Sequence, residues 1–265
     1  MTAMAKAVPL FSGSKGNSYF IGSGNEGVLI DAGKNCKQIE AALALNGVSP
    51  QQIKALFITH EHTDHCAAVR VLAKKYRLPV YASAGTLRAL ETGGKLDAHT
   101  ETHVIETETA VGDMLVSRIN TPHDAAESCC YRVVTPDGKA ALIATDMGVM
   151  TAGVRTAAMH SDFAVLESNH DIDMLQTGPY PYILKKRILS DRGHLSNEAC
   201  AAELAELVNS GTLRLMLGHL SEQNNTPALA LRTAICELER AGMRYNNDFT
   251  LDVAPAAACV KSVIY

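Results

Sequence analysis

The residues between positions 59 and 65, Thr-His-Glu-His-Thr-Asp-His, constrain this chain more than any other part of its sequence. They place three histidines and two carboxylates within six residues, directly after the apolar run 55–58, which predicts a buried strand. Imidazole nitrogen and carboxylate oxygen are usual ligands of divalent metals, whereas a solvated loop gains little from such a cluster. On extended backbone His60 and His62 project to the same side, while Asp64 and His65 point differently. The stretch therefore favours two neighbouring metal ions over one.

Four further candidate residues follow other apolar runs. Asp31 comes directly after the run 28–30, and His219 follows the predicted strand 213–217. His123 and Asp146 follow the predicted strands 114–120 and 140–144 in the same way. A carboxylate or imidazole at the end of a buried strand is typical of a functional position, because sheets build their sites at strand ends.

The order of the predicted elements indicates an α/β protein. Strands and helices alternate up to residue 90, several short strands fill residues 102–144, and strands and helices alternate again to residue 253. A helix is predicted over residues 66–76, and residues 172–192 are predicted to be a polar, proline-containing connection with a basic run at 185–187. The chain has 265 residues and shows no repeat or linker, so we expect one domain over residues 1–265.

Composition limits the location and the partners of the protein. Seven cysteines without a Cys-x-x-Cys pair are typical of reduced thiols, so we expect a cytoplasmic protein. No signal peptide and no membrane-spanning run is expected from the sequence. The net charge of −4 does not indicate a polyanion partner for the whole surface, so contact with nucleic acid would need a local basic patch. The oligomeric state stays open.

The candidate ligands together resemble the metallo-β-lactamase family. Their order along the chain is that of the family's five motifs, which are Asp31, then His60-x-His62-x-Asp64-His65, then His123, Asp146 and His219. The resemblance implies a four-layer αββα sandwich of the α/β (α+β) class, with two metals at one edge of the sheets.

Further motifs resemble the WalJ/YycJ (VicX) branch of this family. They occupy residues 14–17, 29–33, 167–171, 178–181, 193–197 and 218–227. This branch implies a cytosolic, metal-dependent phosphodiester hydrolase, and more narrowly a DNA exonuclease that digests from 5′ to 3′ and takes DNA ends as its substrate.

The family resemblance also implies the role of each ligand. His60, His62 and His123 would hold one divalent ion, and Asp64, His65 and His219 the second. Asp146 would bridge two ions lying roughly 3.5–4 Å apart, and a hydroxide between them would attack phosphorus. Asp64 would also orient this nucleophile. Asp31 would hydrogen-bond a ligand imidazole and fix its tautomer. Ligands without thiolate suit Zn²⁺, Mn²⁺ or Fe²⁺.

The remaining candidates concern the substrate. The segment 193–219 is similar to part of tRNase Z, where a histidine in this place is the proposed proton donor, so His194 is the candidate general acid. A phosphate clamp and a structural residue at the start of a helix are the alternatives for His194. Candidate substrate contacts come from the small, donor-rich loop 12–18, from the segment after residue 166 and from the basic run 185–187. They are Ser14, Lys15, Asn17, Asn169, His170 and Arg187.

Two other functions stay open at this point. One is a small-substrate metallo-hydrolase, such as a thioesterase of the glyoxalase II type, a cyclic phosphodiesterase or a lactonase. The other is a regulator that binds metal without catalysis. The loop 12–18 and His194 favour a phosphate substrate, and the intact set of ligands disfavours a non-catalytic protein.

Overall fold

The computed structural model describes residues 4–265, which form two seven-stranded sheets between layers of helices. The strands are β1 (Ala5–Phe11), β2 (Ser18–Ser23), β3 (Glu26–Ile30), β4 (Ile53–Phe57), β5 (Val80–Ala82), β6 (Thr102–Val104), β7 (Glu108–Val111), β8 (Met114–Asn120), β9 (Cys129–Val134), β10 (Ala140–Ala144), β11 (Phe163–Glu167), β12 (Arg214–Gly218), β13 (Thr250–Val253) and β14 (Val263–Ile264). The helices are α1 (Cys36–Leu45), α2 (Thr63–Cys66), α3 (Val69–Tyr76), α4 (Ala84–Thr92), α5 (Ala152–Met159), α6 (Ile172–Thr177), α7 (Tyr182–Ile188), α8 (Asn197–Ser210) and α9 (Pro227–Arg240).

The two sheets share one pattern of strand pairing. The first has the order β14-β1-β2-β3-β4-β5-β6 and the second the order β13-β12-β11-β10-β9-β8-β7. In the first, pairing is antiparallel from β14 to β3 and parallel from β3 to β6. In the second, pairing is antiparallel from β7 to β10 and parallel from β10 to β13. Each sheet therefore ends in parallel strands whose carboxyl ends lie at one edge.

Alternation of side chains along the strands builds a four-layer molecule. On β3, Val28 and Ile30 pack into the core between the sheets, whereas Leu29 packs toward α1, α3 and α4. On β10, Ile143 faces the core between the sheets and Leu142 faces α5, α8 and α9. Strands buried on both faces read as continuous apolar runs, as these do. The expected αββα sandwich is confirmed.

The core between the sheets contains residues from both of them. The prediction of one domain over residues 1–265 stays a prediction, and we infer from this shared core that the two sheets fold as one unit. No helix within residues 4–265 combines the length and the apolar character needed to cross a bilayer.

Two of the expected segments differ in detail from the structure. The connection expected over residues 172–192 contains the short helices α6 and α7, and the helix expected over 66–76 is present as α3, with its first residue at the end of the separate helix α2. The Asp171 side chain caps α6 by accepting from the backbone N–H of Met174 at 2.8 Å. Both α6 and α7 are shorter than eight residues, so their apolar periodicity is too brief to detect from sequence. The strands β7 and β14 and the helix α5 were not expected.

Candidate metal centre

Three histidines from separate segments form the first group of candidate ligands. His60 and His62 follow β4, and His123 follows β8. One ring nitrogen of each lies within 4.8 Å of the others. The rings of His60 and His62 lie 4.5 Å apart between centroids, and the centroid of the His123 ring lies 5.1 Å from each of them. The structure thus brings together the three residues expected to hold one ion.

Asp64, His65 and His219 form the second group, again with ligand atoms within 4.8 Å. Asp64 and His65 lie on α2, and His219 follows β12. The Asp64 Oδ2 atom lies 3.5 Å from His65 Nε2 and 3.6 Å from His219 Nε2. These are the three residues expected to hold the second ion.

Asp146 lies between the two groups. Its Oδ2 atom is 3.1 Å from His65 Nε2, and its Oδ1 atom is 3.6 Å from His219 Nδ1 and 3.8 Å from His123 Nε2. It also forms a ligand group with His60 and His65. The Asp146 carboxylate therefore lies within 4 Å of imidazoles from both groups, as expected of a bridging ligand.

The hydrogen bonds of these side chains fit metal ligands. His123 Nδ1 lies 3.1 Å from the carbonyl oxygen of Gly193, and His219 Nδ1 lies 3.0 Å from Glu167 Oε1. The buried Nε2 atoms of His60, His123 and His219 have no hydrogen-bond partner among the described residues. Buried polar atoms are rarely left unpaired, and metal-bound histidines use one nitrogen for an acceptor and the other for the ion. The residues present therefore fit divalent metal ions.

Charge leads to the same conclusion. Burial opposes protonation of His65 and His219, but the negative charges of Asp146 and the other nearby carboxylates outweigh this effect. As a result the pKa of His65 rises well above its ordinary value, and the pKa of His219 rises to about 10. By contrast, burial lowers the pKa of His60 well below its ordinary value. The carboxylates thus attract positive charge to the cluster, and bound cations would take the place of these protons.

Asp31 supports His65 as expected. Its Oδ2 atom accepts a hydrogen bond from His65 Nδ1 at 2.7 Å, while Thr59 donates to Oδ1 from its backbone N–H at 2.8 Å. This arrangement leaves His65 Nε2 directed toward Asp64 and Asp146. Burial raises the pKa of Asp31, against the lowering effect of His65 and Thr59.

The backbone turns sharply at three of the site residues. Asp31, Asp146 and His219 have φ values of +61°, +59° and +54°, in the left-handed region that side chains other than glycine rarely adopt. Each directly follows, or follows within two residues, the end of a parallel strand. The turn directs the side chain into the site instead of continuing the strand. Backbone strain of this kind is typical of functional positions.

Glu167 is a site residue that the sequence analysis did not assign. It ends β11, is fully buried, and its Oε1 atom accepts from His194 Nδ1 at 2.7 Å and from His219 Nδ1 at 3.0 Å. Burial opposes its ionisation, but the charges and hydrogen bonds of these two histidines lower its pKa to about 2. The signal was present in the sequence, since Glu167 follows a buried apolar run as Asp31 does.

His194 lines the same cavity as the candidate ligands. The cavity has a volume of about 210 Å³ and is also lined by Ser14, His62, Asp64, His123, Asp146, Asn169, Tyr180, Leu184, Arg187, Ile188, His219 and Ser221. The bond to Glu167 occupies Nδ1 and leaves Nε2 of His194 free to act in the cavity. The expected proton donor therefore lies beside the ligand cluster.

Four of the six candidate substrate contacts line a cavity or groove at the site, and two do not. Ser14, Asn169 and Arg187 line the cavity, and Lys15 lines a second, open groove that shares Ser14 and Asp64 with it. Arg187 is engaged in an ion pair with Asp124, in which Nη2 donates to Oδ1 at 2.9 Å. Lys15 forms an ion pair with Glu222, in which Nζ lies 2.5 Å from Oε2. A phosphate would have to compete with these carboxylates.

Asn17 and His170 do not reach the cavity. Asn17 is fully buried, accepts from the backbone N–H of Gly13 at 2.9 Å and lies 3.0 Å from His65 Nε2, so it fastens the loop 12–18 to the ligand cluster. His170 is 1% exposed, and burial lowers its pKa to about 4. Their expected contact with substrate stays a prediction, and the absence of both side chains from the cavity lining disfavours it.

Comparison with known proteins places the chain among metal-dependent hydrolases. The family model described as the Metallo-beta-lactamase superfamily matches residues 12–219. The chain is 37% identical over 256 residues to a Streptococcus pneumoniae protein named Exodeoxyribonuclease WalJ, with 94% of each chain covered. It is 35% identical over 244 residues to Exodeoxyribonuclease YycJ of Bacillus anthracis, with 91% of this chain and 92% of that protein covered.

A solved structure agrees with the fold. The metallo-beta-lactamase fold protein YhfI from Bacillus subtilis superposes with a TM-score of 0.71 at 17% sequence identity, covering 96% of this chain and 98% of that one. At this level of identity the similarity supports the architecture alone.

Proposed function

The chain belongs to the metallo-β-lactamase superfamily, in the branch of WalJ and YycJ, and from this premise we propose that it is a metal-dependent phosphodiester hydrolase that degrades DNA as an exonuclease. One observation carries the proposal. His194, oriented by Glu167, lines the same small cavity as members of both groups of candidate metal ligands. A phosphodiester needs both parts, because its charge must be neutralised and its leaving oxygen must receive a proton.

The ligand groups define what the metals would contribute. His60, His62 and His123 would hold one divalent ion, Asp64, His65 and His219 the other, and Asp146 would contact both. Two such ions neutralise phosphate charge and lower the pKa of water from about 15.7 toward 7. We propose Zn²⁺ or Mn²⁺, with Fe²⁺ as the third candidate, since the donors are nitrogen and oxygen without thiolate.

The other residues would orient the ligands, the water and the substrate, or supply the proton for the leaving oxygen. Asp31 fixes the orientation of His65 through the 2.7 Å bond to Nδ1. Glu167 fixes both His194 and His219, so that a proton held at His194 Nε2 can pass to the leaving oxygen. Asp64, which is partly exposed, would accept a hydrogen bond from the attacking water and direct it. Ser14 and Asn169 on the cavity wall would donate hydrogen bonds to the phosphodiester.

The finer claims rest on the relatives and on the thiols. Relatives named exodeoxyribonuclease at 35–37% identity support DNA ends as the substrate. We also propose digestion from 5′ to 3′, the direction that the resemblance of the sequence motifs to this branch implies. All seven cysteines lie in the described part of the chain and are free thiols, which supports a cytoplasmic location.

The test uses purified protein with Zn²⁺ or Mn²⁺, DNA and RNA labelled at either end, bis(p-nitrophenyl) phosphate and S-lactoylglutathione. We expect stepwise loss of a 5′ label from DNA and turnover of the small diester. An Asp146→Asn variant, which removes the bridging carboxylate, should lose both activities, and His160→Ala, a surface substitution, should retain them. Hydrolysis of S-lactoylglutathione without cleavage of any phosphodiester would show a thioesterase instead.

A further inference from the structure

Two sides of the helix α7 line two different cavities. Leu184, Arg187 and Ile188, spaced by three and four residues, line the cavity of about 210 Å³ beside the candidate ligands, here called the metal cavity. Tyr182, Lys185, Lys186 and Leu189 have the same helical spacing and line a separate groove of about 530 Å³, together with Gln176 and Ser190. The groove and the metal cavity are therefore separated by one helix.

The groove face exposes apolar side chains that a folded protein would ordinarily cover. Tyr182, on the groove face, is 78% exposed. Its neighbour Ile183 lies outside the groove lining and is 83% exposed, and these are the two highest values among the large hydrophobic residues in the described chain. Leu189 adds further exposed apolar surface. A cluster of this kind with a polar rim marks a binding surface more often than a random exposed residue does.

The same face is locally basic. Lys185 donates from Nζ to the carbonyl oxygen of Gln176 at 2.7 Å, which holds its charge at the rim of the groove. Lys186 is exposed. The chain as a whole carries a net charge of −4, so this patch differs from the rest of the surface. An aromatic ring flanked by lysines complements a single nucleic-acid strand, which offers π faces and phosphates in alternation.

The helix is firmly attached beside the metal centre. Arg187 forms a two-point ion pair with Asp124, the residue after the candidate ligand His123. Arg192, just beyond the helix, donates to the carbonyl oxygen of His123 at 2.9 Å. These contacts connect the helix and the segment that follows it to residues 123–124, beside the candidate metal centre.

We propose that this groove binds the unpaired bases of the DNA strand being degraded, with one base stacked on Tyr182 and adjacent phosphates on Lys185 and Lys186. The proposal rests on the nuclease function proposed above and adds how the substrate is held. An α-helix with its side chains is about 10–12 Å across, which equals about three nucleotides of a stacked strand at 3.4 Å each. The stacked base therefore lies about three nucleotides from the scissile bond.

The structure favours an unpaired strand over two other occupants. Bases inside a duplex already stack on each other and offer no free face to Tyr182. A second copy of the chain, docked on this groove through a two-fold axis, would bring Lys185 and Lys186 of both copies into one interface, where their like charges repel.

The first test measures length dependence with metal-loaded, full-length protein. For Tyr182→Ala we expect kcat/KM on single-stranded oligonucleotides of about six residues to fall between about fivefold and a hundredfold relative to kcat/KM on bis(p-nitrophenyl) phosphate. The loss should disappear for a dinucleotide. Tyr182→Phe should restore the value, because stacking needs the ring and not the hydroxyl. Val71→Ala, an exposed aliphatic residue on α3, is the control. Equal kcat/KM ratios in wild type and Tyr182→Ala would overturn the proposal.

The second test reports stacking itself. Oligonucleotides with phosphorothioate linkages carry 2-aminopurine at each position in turn, and its fluorescence should be quenched by wild-type protein near the third position but not by Tyr182→Ala. Quenching that is equal in both proteins would overturn the proposal. So would a wild-type dimer that Tyr182→Ala converts to a monomer without any change in oligonucleotide kinetics. A wild-type protein that cleaves no nucleic acid would instead refute the proposed function.

Discussion

Replacing Glu167 by glutamine tests whether one buried carboxylate organises both the proton donor and a metal ligand. Oε1 accepts from His194 and His219, and Oε2 accepts from the backbone N–H of Met147 at 2.8 Å. All of these partners are therefore donors. An amide has the same shape but only one accepting end, so it cannot satisfy both sides.

The magnitude follows from the two orientations that the amide can take. If its oxygen faces the histidines, its NH₂ group meets the N–H of Met147, and burying unpaired donors costs about 1–3 kcal/mol. If its NH₂ group faces the histidines, both rings must accept at Nδ1, which places a proton on His219 Nε2 where the metal should bind. Losing such support for a ligand typically lowers metal affinity or activity by about 10- to 100-fold. We expect Glu167→Gln to show one or both effects.

The assay combines thermal unfolding, metal titration against a competing chelator, and turnover of bis(p-nitrophenyl) phosphate. Glu203→Gln, which removes a surface partner of Arg155, is the matched control and should change none of the metal-dependent values. In a His194→Ala background, Glu167→Gln should still weaken metal binding through His219 but should add little further loss of turnover. If Glu167→Gln binds metal and turns over substrate within twofold of wild type, while unfolding at the same temperature, the assigned role is refuted.

Three further predictions concern the same site. His194→Ala should lower turnover by about 10²–10⁴ at unchanged metal content, as checked by steady-state kinetics beside the exposed control His160→Ala; full activity would exclude His194 as the acid. Elemental analysis should give close to two divalent ions per chain. Chelation should lower the melting temperature, since a ligand at 1,000 times its Kd adds about 4 kcal/mol to the free energy of unfolding. A melting curve unaffected by chelator would contradict the assigned ligands. Gly33→Ala should destabilise the fold by about 1–3 kcal/mol and reduce metal content, because its Cβ would lie 1.6 Å from the Asp64 carbonyl oxygen. Gly153→Ala, with its nearest neighbour at 3.3 Å, is the control in the same unfolding assay.

The architecture and the set of candidate ligands could be predicted from the sequence because both depend on local patterns. Strands buried on both faces produce continuous apolar runs, and these runs predicted most of the sheet strands. A polar residue directly after such a run must lie at the edge of the sheet, whatever the rest of the chain does. Of the seven expected ligands, four belong to the stretch 59–65 and the other three follow a predicted strand within three residues, and the structure brings all seven together.

The partners of each polar side chain were decided only by the tertiary structure. Glu167 reaches His194 and His219 across 27 and 52 residues of sequence, because β11 and β12 lie side by side with Glu167 opposite Gly218. Asn17 and His170 are polar residues in promising motifs, yet packing buries them away from the cavity. Sequence periodicity records whether a residue faces the core, but contacts of about 3 Å depend on which distant strands pair and in which register.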